Sequence, residues 1–132
     1  MSQKNAEIVR RHLEAWNQRD KAAYVASFRP DAEIDWSRAR ALYKGVYRGP
    51  EQLEAFWDEF WSTFEDSQLE IHDLTEAGGD VVAWNTAHMW GRDGIEVTAR
   101  SALVFTLENG RIARLRLFQE RAEALEAVGL RE

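Results

Sequence analysis

Residues 81–120 read VVAWNTAHMWGRDGIEVTARSALVFTLENGRIARLRLFQE, three strand-like runs joined by two short turns that set how the runs pair. The runs are VVAWNTAHMW from residue 81, IEVTARSALVF from residue 95 and RIARLRLFQ from residue 111. Asn109-Gly110 supplies the second turn, because this dipeptide tolerates the positive φ that a tight hairpin needs. Pairing outward from Leu107 sets Ala102 opposite Leu117 and Arg100 opposite Gln119. The first turn uses Arg92-Asp93-Gly94, with Gly94 in the left-handed position of a bulge. It places Trp84 opposite Ala102, Thr86 opposite Arg100 and His88 opposite Thr98.

Strand side chains alternate faces, so one sheet face is expected to carry Trp84, Thr86, His88, Thr98, Arg100, Ala102, Leu115, Leu117 and Gln119. Apolar walls with a few polar groups are how small-molecule pockets are lined. The opposite face is expected to carry Val97, Ala99, Leu103, Phe105, Arg114, Arg116 and Phe118, too apolar to be left wholly in water.

Working outward, the remaining periodicities supply helices to cover this sheet. Ala6, Val9, Leu13 and Trp16 recur at three- and four-residue spacing, an amphipathic helix from about Gln3 to Gln18. Asp20 caps a second, short helix that turns Ala23, Tyr24 and Phe28 inward and ends at Pro30. DAEIDW follows as a strand, residues 37–49 as a loop, and Pro50 opens a long helix. That helix has Leu53, Phe56, Trp57, Phe60, Trp61 and Phe64 on one stripe, which needs a large apolar partner, and the sheet is the one on offer. QLEIHDLTEA alternates as a strand turned by Ala77-Gly78-Gly79-Asp80, and RAEALEAVGL closes as a helical turn or two stopped at Gly129. The order is helix, helix, strand, helix and four antiparallel strands, an α+β layout with helices folded onto one face of a curved sheet.

At 132 residues the chain is expected to be one domain, 1–132, able to bury most of its apolar surface without staples. It has no cysteine, which removes disulfide and thiolate chemistry. No run has the apolar length of a membrane helix or of a signal-peptide core, so the expectation is a cytoplasmic protein with no membrane partner. A formal net charge of −6 argues against a nucleic-acid surface, which needs clustered Lys and Arg. The one basic patch is Arg111, Arg114 and Arg116. Six tryptophans in so short a chain point to a large hydrophobic cavity or interface.

EAWNQRD closing the first helix, PDAEIDW as the first strand, YRGPEQLEAF opening the long helix, ENGRIARLRLF as the last hairpin and the ending QERAEALEAVGL together resemble the SnoaL-like branch of the nuclear-transport-factor-2-like superfamily. The resemblance covers nearly the whole chain. It implies a cone: a curved, mostly antiparallel sheet with the N-terminal helices packed on its concave face, enclosing a pocket. It also implies a homodimer through the convex sheet face, here assigned to Leu103, Phe105, Arg114, Arg116 and Phe118, since a C2 contact would bury that face.

The superfamily includes ketosteroid isomerases, polyketide cyclases, limonene epoxide hydrolases, dehydratases and pocket proteins without a known reaction, so residues rather than fold must decide function. Aligned with the isomerases, the oxyanion-donating tyrosine falls on His12, the aspartate base on Trp36 and the protonated acid on Ala102. A base must titrate within reach of the substrate proton, which neither tryptophan nor alanine does. Against the epoxide hydrolases, Arg100 falls near their arginine but Ala102 replaces an aspartate. The cyclases use a pocket carboxylate, for which Asp35, Glu96 and Glu120 are the available groups, and the sequence leaves open whether any of them reaches the pocket.

Among single residues, His88 is the first choice for acid–base chemistry near neutrality, weighed against a hydrogen-bonded wall histidine. His12 borders the Val9, Leu13, Trp16 stripe and is the expected second donor, or else a partly solvated edge residue. Arg100 in mid-strand is costly to bury unpaired, so it either pairs with Glu96, Asp35 or Glu120 or clamps developing negative charge on a ligand. Trp16, Trp36, Trp84, Thr86, Trp90, Thr98, Leu117 and Gln119 are the expected ligand contacts. His72 receives no role, three scattered histidines make no metal site, and no cofactor is implied. The reading is a pocket protein for a small, largely apolar organic ligand with no assigned reaction. The alternative is a cofactor-independent proton-transfer enzyme of isomerase, cyclase or dehydratase type on a carbonyl-containing, polyketide- or steroid-like substrate. A third possibility is a cavity filled by protein side chains, leaving only a dimerisation domain.

Overall fold

A computed structural model describes residues 2–38 and 45–130, with side chains from residue 4 onward; residues 39–44 of the expected loop lie outside the described residues. The chain runs α1 (Ser2–Asn17), α2 (Lys21–Ala26), β1 (Phe28–Asp35), β2 (Val46–Arg48), α3 (Gly49–Thr63), β3 (Phe64–Ala77), β4 (Asp80–Gly91), β5 (Glu96–Glu108), β6 (Arg111–Phe118) and α4 (Arg121–Ala127). The six strands form one sheet in the order β2-β1-β6-β5-β4-β3. All neighbours are antiparallel except β1 and β6, which are parallel, a pairing that the long connection through β2, α3, β3, β4 and β5 allows. The class is α+β, with a curved and unclosed sheet carrying the N-terminal helices on its concave face.

Local chemistry accounts for the element ends. The Asp20 carboxylate accepts from the Ala23 backbone N–H at 3.1 Å, capping α2 as its spacing suggests. Arg48 donates its backbone N–H to Gln52 Oε1 at 2.7 Å, and Pro50 occupies the first turn of α3, where no intrahelical donor is needed. Two expectations shift. The second helix stops at Ala26 rather than Pro30, and Pro30 lies in β1, in the stretch between Phe28 and Glu33 where the ladder to β6 is interrupted and no N–H is required. Part of the expected 37–49 loop is the edge strand β2, too short for its alternation to show in sequence.

The three-strand region is where register matters. β4 and β5 pair as expected, with Trp84 opposite Ala102, Thr86 opposite Arg100 and His88 opposite Thr98. Asn109 (φ 53°) and Gly110 (φ 81°) form the tight second turn, and Gly94 (φ 85°) takes the left-handed position in the first. The β5–β6 ladder then departs from the expectation. Leu107 pairs with Ile112 but Thr106 pairs with Arg114, so Ala113 is an extra residue in β6 and every later pair slips by one. Ala102 therefore faces Phe118, not Leu117, and Leu103 faces Leu117.

A one-residue slip moves side chains to the other face. Leu115 and Leu117 join Leu103 and Phe105 in the core under α1 and α3, together with Ile34 and Ala83. The other face carries Val82, Ala102, Val104 and Phe118, packed against Ala124 of α4 and flanked by Trp84. The expected dimer surface is corrected accordingly. Leu103 (5% exposed) and Phe105 (0%) belong to the concave core, and Phe118 (3%) is covered within the α4 cluster. Arg114 and Arg116 remain on the convex side, Arg114 pairing with Glu33 at 3.3 Å. No helix among the described residues is long and apolar enough to cross a membrane.

Candidate functional site

The concave face holds a cavity of about 330 Å³. Its roof comes from the helices: His12, Leu13 and Trp16 of α1, Tyr24 of α2, Phe56 and Phe60 of α3. Its floor is the odd-numbered set of the central strands, Ala87 and Met89 of β4 with Val97, Ala99, Ser101, Leu103 and Phe105 of β5. Ala87 pairs directly with Ala99, so the middle of the floor has almost no side-chain height while large rings stand above it. That difference in size makes the hollow. Val97 lines the cavity yet is 45% exposed, which places a mouth at the turn end of the β4–β5 hairpin.

The polar groups in this wall are few and mostly committed. Ser67 Oγ accepts from Trp16 Nε1 at 3.2 Å, and Ser101 Oγ donates to Asn85 Oδ1 at 3.1 Å. His12 is different. It is 1% exposed, stacked on Tyr24 at 4.2 Å and met edge-on by Phe28 at 4.9 Å and Phe105 at 5.5 Å. Neither ring nitrogen has a hydrogen-bond partner among the described residues. Burial pushes its pKa down to about 3, because the imidazolium is poorly solvated there. Burial raises the Tyr24 phenol for the same reason with opposite sign. Both are therefore uncharged at neutral pH. No carboxylate, lysine or arginine lines the cavity among the described residues, and no group of three or more metal-ligating side chains is found among them.

The structure divides the expected site residues between two faces. His12, Trp16, Trp36, Leu117 and Gln119 line the cavity. The expectation that His88, Arg100, Trp84, Thr86, Trp90 and Thr98 look into it is corrected: these even-numbered positions project from the convex face. The β4–β5 pairing held, but the bulge at Ala113 means that Leu115 and Leu117 do not share a face with them. Without those two leucines the even face is polar around Thr86, His88, Thr98 and Arg100, and α1 and α3 cover the apolar odd face instead.

On the convex side, His88 sits between two glutamates, Nε2 at 3.2 Å from Glu70 and Nδ1 at 3.5 Å from Glu96. The Glu70 hydrogen bond raises its pKa, opposed by slight desolvation and reinforced by Glu96. Trp90 stacks beside it at 6.3 Å. Thr86 and His72 share a 2.7 Å hydrogen bond, and Trp84 donates Nε1 to Thr75 Oγ1 at 2.9 Å under the Arg121 guanidinium. Arg100 is exposed and lines, with His72, Trp84 and Thr86, a second and more open pocket of about 510 Å³, so the burial that would have demanded a counter-charge does not arise. None of the three carboxylates weighed for the pocket lines it. Asp35 faces the convex side opposite Arg116, Glu96 is at His88, and Glu120 precedes α4. Burial alone would raise the Asp35 pKa, but hydrogen bonds from Ser37 and the guanidiniums of Arg38 and Arg114 hold it below the usual range.

The residues missed in sequence are the floor, Ala87, Met89, Val97, Ala99 and Ser101, and Tyr24 as a wall. A signal was present: along β5 the odd positions from Val97 to Phe105 are all apolar or small, whereas Thr98 and Arg100 are not.

With the geometry in place, the comparisons give the class. Residues 9–115 match the SnoaL-like domain, and the chain belongs to that family. No curated protein sequence matches it. Among solved structures it is similar to a nuclear-transport-factor-2-like protein of unknown function from Burkholderia pseudomallei, with 22% identity, 96% of this chain and 98% of that one covered, and a TM-score of 0.79. It is also similar to a protein proposed to be a polyketide cyclase from Xanthomonas campestris pv. campestris, with 19% identity, 97% and 98% coverage and a TM-score of 0.80. A third is TerC, co-crystallised with polyporic acid, with 17% identity, 95% and 97% coverage and a TM-score of 0.79. At such identities the likeness is one of fold.

Proposed function

We propose that this chain binds a small, largely apolar organic molecule in the concave cavity and carries out no proton transfer on it. The observation behind this reading is the wall itself: about 330 Å³ enclosed by aromatic and aliphatic side chains, within the range of small-molecule sites. Such a hollow offers water few partners and an apolar ligand a great deal of contact. The co-crystallised TerC neighbour supports an organic ligand in a protein of this fold.

The enzyme reading has a narrower base. General acid–base catalysis needs a group whose pKa lies near the working pH. His12 and Tyr24 are the titratable side chains of the cavity wall among the described residues, and burial moves both away from neutrality. His88 and Arg100, the other expected participants, are on the far side of the sheet.

Native mass spectrometry of protein isolated from its own host is expected to show a bound organic mass that is lost on denaturation. Naphthalene, an apolar probe without any polar group, is expected to change Trp16 and Trp36 emission saturably at one site per chain. Folded protein that carries no adduct and ignores naphthalene up to its solubility limit would remove the proposal.

A further inference from the structure

Resting on the cavity as a ligand site, we infer that His12 is its recognition group, selecting an uncharged ligand whose single hydroxyl or carbonyl reaches the imidazole at the inner wall.

Two independent features of the cavity carry this. The first is the position of His12 itself. Its ring is fixed by stacking on Tyr24 and by the edges of Phe28 and Phe105, so it has little freedom to turn elsewhere for a partner. Both of its nitrogens are buried without one among the described residues. A buried polar atom that lacks a hydrogen bond forfeits the solvation it had in water, and native interiors rarely keep two on one side chain without a reason. Trp16 and Ser67 satisfy each other, and Ser101 is engaged by Asn85, so the neighbouring polar groups are occupied while the imidazole is not. A neutral imidazole presents one N–H and one lone pair. It can therefore accept from a hydroxyl or donate to a carbonyl, and the ligand's group selects the tautomer.

The second feature is charge. Neither cation nor carboxylate stands in the cavity wall among the described residues. An ionised ligand would leave water without a counter-charge to meet it, a transfer that is expensive in an apolar setting. His12 does not repair this, since an imidazole flanked by three rings is itself poorly placed to become charged. The cavity thus discriminates twice, by a hydrogen bond at one wall and by the absence of charge among the other described wall residues.

The test compares naphthalene, 2-naphthol and 2-naphthoate at pH 7, three probes with one apolar body and different head groups. 2-Naphthol is expected to bind about tenfold or more tightly than naphthalene, as gaining one buried hydrogen bond implies, and 2-naphthoate more weakly than 2-naphthol. In His12→Phe the advantage of 2-naphthol over naphthalene is expected to vanish while naphthalene affinity holds or improves. Independently of any variant, ring ¹⁵N shifts of His12 in the wild-type protein are expected to move on adding 2-naphthol and not on adding naphthalene. Equal affinity for naphthalene and 2-naphthol, an unchanged preference in folded His12→Phe, or unmoved ring shifts at saturation would each overturn the role of His12 and leave the cavity as a binding site. Tightest binding by 2-naphthoate would overturn the charge selection. Failure of all three probes to bind folded protein would instead remove the cavity reading, and this inference with it.

Discussion

His12 and His88 show how two copies of one side chain acquire opposite behaviour from their surroundings. Enclosed by rings, His12 has its pKa pushed down to about 3, whereas His88 beside Glu70 and Glu96 has its pKa raised. The linkage runs in opposite directions. The unfolded chain takes up a proton on His12 near its ordinary value of 6.5, while the folded protein does not until about pH 3. Folding is therefore opposed as pH falls from 6.5 toward 3, by as much as about 5 kcal/mol for a shift of this size. For His88 the folded state holds its proton more strongly, so its stabilising share is full below the unfolded pKa and is lost as pH rises through the folded one. Histidine ring NMR is expected to show His88 titrating above 6.5 and dropping in Glu70→Gln, with His12 uncharged from pH 5 upward. Denaturant unfolding of His12→Phe is expected to have a flatter slope between pH 6 and 4 than the wild type. Equal slopes, or a His12 that titrates near 6.5, would mean that the ring is wetter than its burial indicates.

At the scale of elements, the bulge in β6 decides which side chains meet the helices. Ala113 takes the extra place, and the pairs beyond it put Leu115 and Leu117 inward and Arg116 and Phe118 outward. Straight pairing with Ala113 retained would set Arg114 opposite Phe105 and Arg116 opposite Leu103, in the core, whereas deleting Ala113 removes the extra residue and leaves every pair beyond it as it is. The deletion is therefore expected to keep cooperative thermal unfolding, and Ala113→Ser, which keeps the count, to stay within about 1 kcal/mol of wild type. A deletion variant that loses cooperative unfolding would show that the fold needs the bulge itself and not only the pairing beyond it.

The bulge also explains what the sequence made legible. Turn dipeptides are local and strong, so Asn109-Gly110, the Gly94 position, the Asp20 cap and the β4–β5 register could all be read directly. The long apolar stripe of α3 likewise left no doubt about its buried face. A bulge at an alanine carries no such mark, since neither glycine nor a forced φ announces it. One unmarked residue was enough to put Leu115 and Leu117 beside His88 and Arg100 and so invert the sheet. From the helical half of the wall, His12 and Trp16 were found, because 3.6-residue periodicity does not depend on strand register, and Trp36 follows β1, outside the slipped ladder.

For the whole molecule, the pairing of small floor residues with a roof of large rings sets stability against binding. Native interiors are close-packed, and a protein that leaves a hollow forgoes the contacts that would fill it. Ala99 lies at the centre of the floor, paired with Ala87 and facing the cavity. Ala99→Leu adds three carbons into that space, each contributing about 0.8 kcal/mol when buried, less whatever strain the new rotamer brings. A net gain of about 1–2 kcal/mol is expected, read as a few degrees in Tm. Naphthalene affinity is expected to fall tenfold or more in the same variant. Thr98→Leu, one residue away on the convex face, serves as the parity control and should leave naphthalene affinity unchanged. Should Ala99→Leu bind naphthalene as the wild type does, the ligand occupies some other surface. If Thr98→Leu were the variant that lost binding, the convex face would be the site, and His88 and Arg100 would return as its polar groups.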